Sequence, residues 1–82
     1  MEQKIRIDRN LGSNLGKLRY KNKISQEDLC TVLQLRGYDI GRSTYAKYEC
    51  GQLNVPVRLI IELQKIYNCN FADFFEGLDI SE

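Results

Sequence analysis

Leu11, Leu15 and Leu18 recur at i, i+4 and i+7, the spacing of one face of an α-helix. Asn10 stands just ahead of them and fits an N-cap, and the pattern fades near Asn22. Lys17, Arg19 and Lys21 fill other positions of the same helix, with Lys23 just beyond. A second helix starts at Ser25, followed by Gln26, Glu27 and Asp28. Acidic residues in a first turn suit the helix dipole, and Ser25 with Asp28 nearly matches a capping box. Leu29 and Leu33, beside Cys30 and Val32, supply its buried stripe, and Gly37 ends it in a left-handed cap. Tyr38, Asp39 and Ile40 form the connection, with Ile40 as its apolar anchor.

Gly41 and Gly51 bracket a third helix whose chemistry is split. Tyr45 and Tyr48 share one face, while Arg42, Ser43, Ala46 and Lys47 crowd another. A loop, Gln52 to Val55, leads to Pro56, which fits the first position of a fourth helix. The apolar face there is Leu59, Ile60, Leu63, Ile66 and Tyr67. Asn70 caps a fifth helix with Phe71, Phe74, Phe75 and Leu78 on its apolar side. The expectation is five short helices without a sheet, an all-α domain over residues 10–78. Residues 1–9 read as an N-terminal arm or an edge strand, because Lys4, Ile5, Arg6 and Ile7 alternate charged and apolar. Residues 79–82 read as a tail.

Composition narrows the function classes. Eighty-two residues make one domain. No apolar run approaches the roughly 20 residues of a membrane span. The first ten residues show no apolar h-region, so a cytoplasmic protein is expected. Three cysteines, widely spaced, and no histidine make a metal site or other cofactor unexpected. The cysteines read as small buried hydrophobes in a reducing compartment. Without histidine, a glycine-rich phosphate loop or a positioned carboxylate pair, no enzyme activity and no small-molecule substrate are expected.

Net charge is only +1, but it is unevenly spread. Residues 1–47 hold ten Lys/Arg against five Asp/Glu, and residues 48–82 hold two against six. A basic half can face a polyanion while the acidic half does something else.

From about Leu11 to Leu78 the chain resembles the Cro and phage-repressor type of helix-turn-helix DNA-binding domain, often called XRE-like. The run Leu15-Gly16-Lys17-Leu18-Arg19 is similar to the family's first helix. Ile24-Ser25-Gln26-Glu27-Asp28-Leu29-Cys30 is similar to its second-helix signature. Ser43 to Gly51 is similar to its recognition helix, ending in "Glu, any, Gly", and Asn68 to Phe75 to its fifth-helix motif. The four pieces stand in order at roughly family spacing.

The resemblance implies a compact, five-helix, lambda-repressor-like fold in which helices two and three form the helix-turn-helix. It implies a sequence-specific regulator, a repressor, that binds double-stranded DNA at an inverted repeat as a homodimer. Arg42, Ser43, Ala46 and Lys47 would meet base edges, since Arg and Lys match guanine acceptors and Ala can touch a thymine methyl. Gln26 would meet a phosphate at the start of helix two, where free N–H groups favour anions. Gln52 and Asn54 would touch the sugar-phosphate backbone from the loop. Glu49 takes the position that pairs with an arginine of helix one, here Arg19. Phe71, Phe74, Phe75 and Leu78 would supply the dimer contact.

The chain departs from the family pattern in three places. The connection between helices two and three is longer by about five residues, so helix two runs a turn further or Arg36 and Tyr38 form a small protrusion. Gly41 stands where Ser or Thr usually caps helix three, at a cost of a few tenths of a kcal/mol. Tyrosines fill positions usually held by Ile or Leu, and their hydroxyls need partners or solvent. A different use of the same fold is a protein-interaction module, such as an antitoxin whose acidic half masks a partner.

Overall fold

The computed structural model describes residues 9–78, and every regular element within them is helical. Four α-helices run in order: α1 (Arg9–Lys21), α2 (Gln26–Leu35), α3 (Arg42–Glu49) and α4 (Val57–Tyr67). A 3₁₀ segment, Phe71–Phe75, follows where a fifth α-helix was expected. Five residues are too few to repay the nucleation of an α-helix, and Gly77 at φ 76° turns the chain shortly afterwards. Asn70 does occupy its N-cap position, without a side-chain bond. The helix boundaries also shift at two caps. Asn10 lies inside α1, and Pro56 is the N-cap of α4. Of the expected arm, only Arg9 is described, and it already belongs to α1. The tail at 79–82 lies outside the described residues.

The first three helices all stop in the same way. After α1 the Ile24 amide returns to the Arg19 carbonyl and the Lys23 amide to Tyr20. After α2 the Tyr38 amide returns to Leu33 and Gly37 to Gln34, and after α3 Gln52 returns to Lys47 and Gly51 to Tyr48. Each is a Schellman turn, which satisfies helix-end carbonyls through one left-handed residue. Gly37 (φ 87°) and Gly51 (φ 75°) take that conformation freely. Lys23 takes it at φ 55° despite its side chain.

Amide side chains serve the connections. The Asn14 amide is buried and donates to the carbonyls of Phe74 and Glu76, both at 2.9 Å, which ties the 3₁₀ segment to α1. Gln34 donates to the Ile40 carbonyl at 2.8 Å, and Gln64 donates to that of Cys69 at 2.9 Å. The core joins Leu11, Leu15 and Leu18 of α1 to Leu29 and Leu33 of α2 and to Leu59, Ile60 and Leu63 of α4. Each such side chain contributes about 1.5–3 kcal/mol on burial. Tyr45 and Phe74 are fully enclosed among them. Phe74 was expected at a dimer contact, but it has no surface to present to a partner.

Helix α1 crosses the end of α3 at Gly12. A Cβ there would lie 2.6 Å from the Glu49 carbonyl oxygen, so only glycine permits this approach. None of the described helices is long and apolar enough to cross a membrane. The cysteines are free, and they do not share one environment: Cys30 is buried, Cys69 is half-buried, and Cys50, the C-cap of α3, is exposed, contrary to the expectation for it.

Candidate nucleic-acid interface

The inner side of α3 is anchored by an ion pair. Arg19 Nε donates to Glu49 Oε2 at 2.8 Å, and Nη2 donates to Oε1 at 3.2 Å. Arg19 Nη1 donates to the Ile24 carbonyl at 3.0 Å, so one guanidinium joins α1, α3 and the turn before α2. The Gln26 amide donates to Glu49 Oε1 at 3.0 Å and brings in the first residue of α2. Burial alone would raise the Glu49 carboxyl, but the hydrogen bonds from Arg19 and Gln26 outweigh it and hold the group below the usual carboxylate range. The Tyr45 hydroxyl lies close enough to add to that effect, although it makes no hydrogen bond of regular geometry. Burial pushes the hydroxyls of Tyr45 and Tyr67 well up, and neither has a hydrogen-bond partner among the described residues.

With Tyr45 and Glu49 turned inward, the opposite side of α3 is left to solvent. Arg42, Ser43, Thr44 and Lys47 are exposed, and Ala46 is half-buried. Neither Arg42 nor Lys47 makes an ion pair with a described residue. Tyr48 is half-buried against the core, on the flank of this face. The split chemistry of the third helix therefore matches its two environments.

Arg42 does not stand alone. It lines a cleft of about 410 Å³ with Gln26, Ser25, Glu27, Arg19 and Tyr20. Ser25 caps α2 by accepting from the Asp28 amide at 3.0 Å, which leaves the N–H groups of Gln26 and Glu27 without helical partners at the cleft wall. Gln26 is half-buried, and one of its amide protons is committed to Glu49. Any phosphate contact falls to its backbone N–H and its remaining amide proton. Gln52 and Asn54 are exposed in the loop after α3.

Sequence reasoning missed Tyr20. It is 73% exposed on the last turn of α1, with its ring 4.5 Å from the Arg19 guanidinium carbon. That cation–π contact sets the Tyr20 ring beside Arg19 on the wall of the same cleft. The available signal was its position next to Arg19, one residue along a helix whose last turn is basic.

The expected dimer residues divide. Phe71 is 47% exposed, Phe75 and Leu78 are half-buried against the core, and Phe74 is excluded. Val57 and Ile61, four apart on the outer side of α4, are exposed apolar residues outside the expected set. Among the described residues, no group of His, Cys, Asp and Glu is placed to hold a metal ion. Comparisons of the chain with protein-family models, with curated proteins and with solved structures return no match.

Proposed function

We propose that this chain is a sequence-specific DNA-binding regulator, built on a lambda-repressor-like arrangement in which α2 and α3 form a helix-turn-helix. One observation carries the reading. Helix α3 is locked into the core through Tyr45 and the Arg19–Glu49–Gln26 cluster, while Arg42, Ser43 and Lys47 on its other side are exposed and free of ion pairs with described residues. A rigid helix with unpaired cations and a hydroxyl on one face suits the major groove, where Arg and Lys meet guanine O6 and N7. The cleft shared by Arg42 and the α2 N-terminus suits a phosphate beside that groove. The chain acts as a repressor by occupying its operator. It works as a homodimer through Phe71, Phe75 and Leu78, with recognition helices about 34–36 Å apart on an inverted repeat.

The test is selection from a pool of random duplexes at about 150 mM salt, where charge alone binds weakly. Enrichment of an inverted repeat is expected. Retention that depends on salt but enriches no sequence would overturn the reading. A second reading, a protein-interaction module on the same fold, draws on exposed Leu35, Val57 and Ile61. It predicts that Arg42 and Lys47 are dispensable and that duplex binding is weak without a partner.

A further inference from the structure

The lengthened connection between α2 and α3 is braced at several points. Arg36 Nε meets Glu62 Oε1 of α4 at 2.9 Å, and Gln34 holds the Ile40 carbonyl. Between them the Schellman turn fixes Tyr38, whose ring packs against the core. The Arg58 guanidinium carbon stands 5.4 Å from the centre of that ring. Arg58 is exposed and makes no ion pair with a described residue. Tyr38, Ile40 and Arg58 wall an open groove of about 540 Å³, which also takes in Thr44 and Tyr48 of α3 and Asp39.

We propose that this groove is a subsite for a phosphate of the duplex backbone, with Arg58, steadied on Tyr38, as its ligand. The proposal rests on the DNA-binding reading above. Thr44 and Tyr48 follow Ser43 and Lys47 by one residue each, so they form the adjoining strip of α3. A duplex seated on Ser43 and Lys47 therefore brings one edge over this groove, on the side away from the cleft of Gln26 and Arg42. Arg58 lies within cation–π reach of the Tyr38 face, and a guanidinium can take two phosphate oxygens at once. The hydroxyls of Thr44 and Tyr48 add donors. Nothing lies within 4 Å of where a Cβ would stand on Gly37 or Gly41, so the backbone there is open to close approach. Among the described residues Asp39 is the one acid lining the groove, and it opposes an anion there. That opposition gives the proposal a signed prediction.

The probe is the duplex recovered from the random pool, titrated at several salt concentrations. Arg58→Gln is expected to weaken binding about three- to tenfold, equally for matched and mismatched sequences, and to shrink the slope of log K against log salt by about 0.9 per bound protomer. Asp39→Asn is expected to tighten binding. Lys47→Ala, measured alongside, is expected to lose the preference for the selected sequence. If Lys47→Ala loses that preference while Arg58→Gln changes neither affinity nor slope, the groove is overturned and the DNA-binding reading stands. If Arg58→Gln relaxes sequence preference instead, the residue reads a base and the phosphate assignment is overturned. If selection recovers no duplex, both fall together. Arg58 and Asp39 are exposed, so an unchanged melting temperature is expected for both variants.

Discussion

Arg19 and Glu49 meet through two hydrogen bonds, at 2.8 and 3.2 Å, with both side chains almost wholly removed from solvent. They join the last turn of α1 to the last residue of α3. Removing one member of a buried pair leaves the other charge without compensation, and that loss exceeds what the pair itself contributes. Arg19→Ala also strips a donor from the Ile24 carbonyl. The expected destabilisation is about 3 kcal/mol, read as a lower urea midpoint with an unchanged slope. A midpoint equal to that of the parent chain would contradict it.

The same pair makes stability depend on pH in one direction. The folded Glu49 carboxyl lies below its unfolded value, because its hydrogen bonds outweigh its burial. Its stabilisation is therefore complete above the unfolded carboxylate range, near about pH 4.3, and is lost as pH falls through the folded value beneath it. The parent chain and Glu49→Gln should differ most near neutrality, and the gap should close in acid. A gap that stays constant from pH 7 down through that window would show that the carboxylate charge contributes nothing.

Gly12 sets how closely α1 can lie on α3. A methyl group there would collide with backbone carbonyls of Tyr48 and Glu49, which cannot swing aside as a side-chain end can. Gly12→Ala gains helix propensity, worth about 1 kcal/mol in an open helix. The overpacking should override that gain and leave a net loss of about 1–3 kcal/mol. At Gly16 the nearest atom is a Glu49 carboxylate oxygen at 3.3 Å, so Gly16→Ala should cost less. Thermal melts of the two variants, compared side by side, decide the order.

Periodicity made the helices legible, because Leu11, Leu15 and Leu18, or Leu59, Ile60 and Leu63, have no other way to share a face. It also made the two sides of α3 legible, since Tyr45 and Tyr48 contrast with Ser43 and Lys47. Close approach is different. Gly12 and Asn14 look like weak points in an amphipathic helix, and their roles depend on α3 and the 3₁₀ segment, which are far away in sequence. Three aromatics in five residues cannot all be enclosed. Composition alone does not say that Phe74 goes in while Phe71 stays out. The connection from Arg36 to Gly41 hid its geometry because its braces, Glu62 and Arg58, sit on α4.

Lys47 separates the DNA-binding reading from its rival. It lies one turn along α3 from Ser43, exposed and without an ion pair to a described residue. Its removal should leave the fold untouched, since no core contact is lost. On the selected duplex Lys47→Ala should cost about 1–3 kcal/mol if the ammonium meets a base edge. On duplexes of unrelated sequence it should cost less, because only general attraction to phosphate is lost. Arg42→Ala should behave in the same way, and at separate base pairs the two losses should be nearly additive. Equal losses on selected and unrelated duplexes would make both residues part of a charged surface rather than readers of sequence. Unchanged binding on both would move the search to a protein partner, with the apolar pair Val57 and Ile61 as the first surface to mutate.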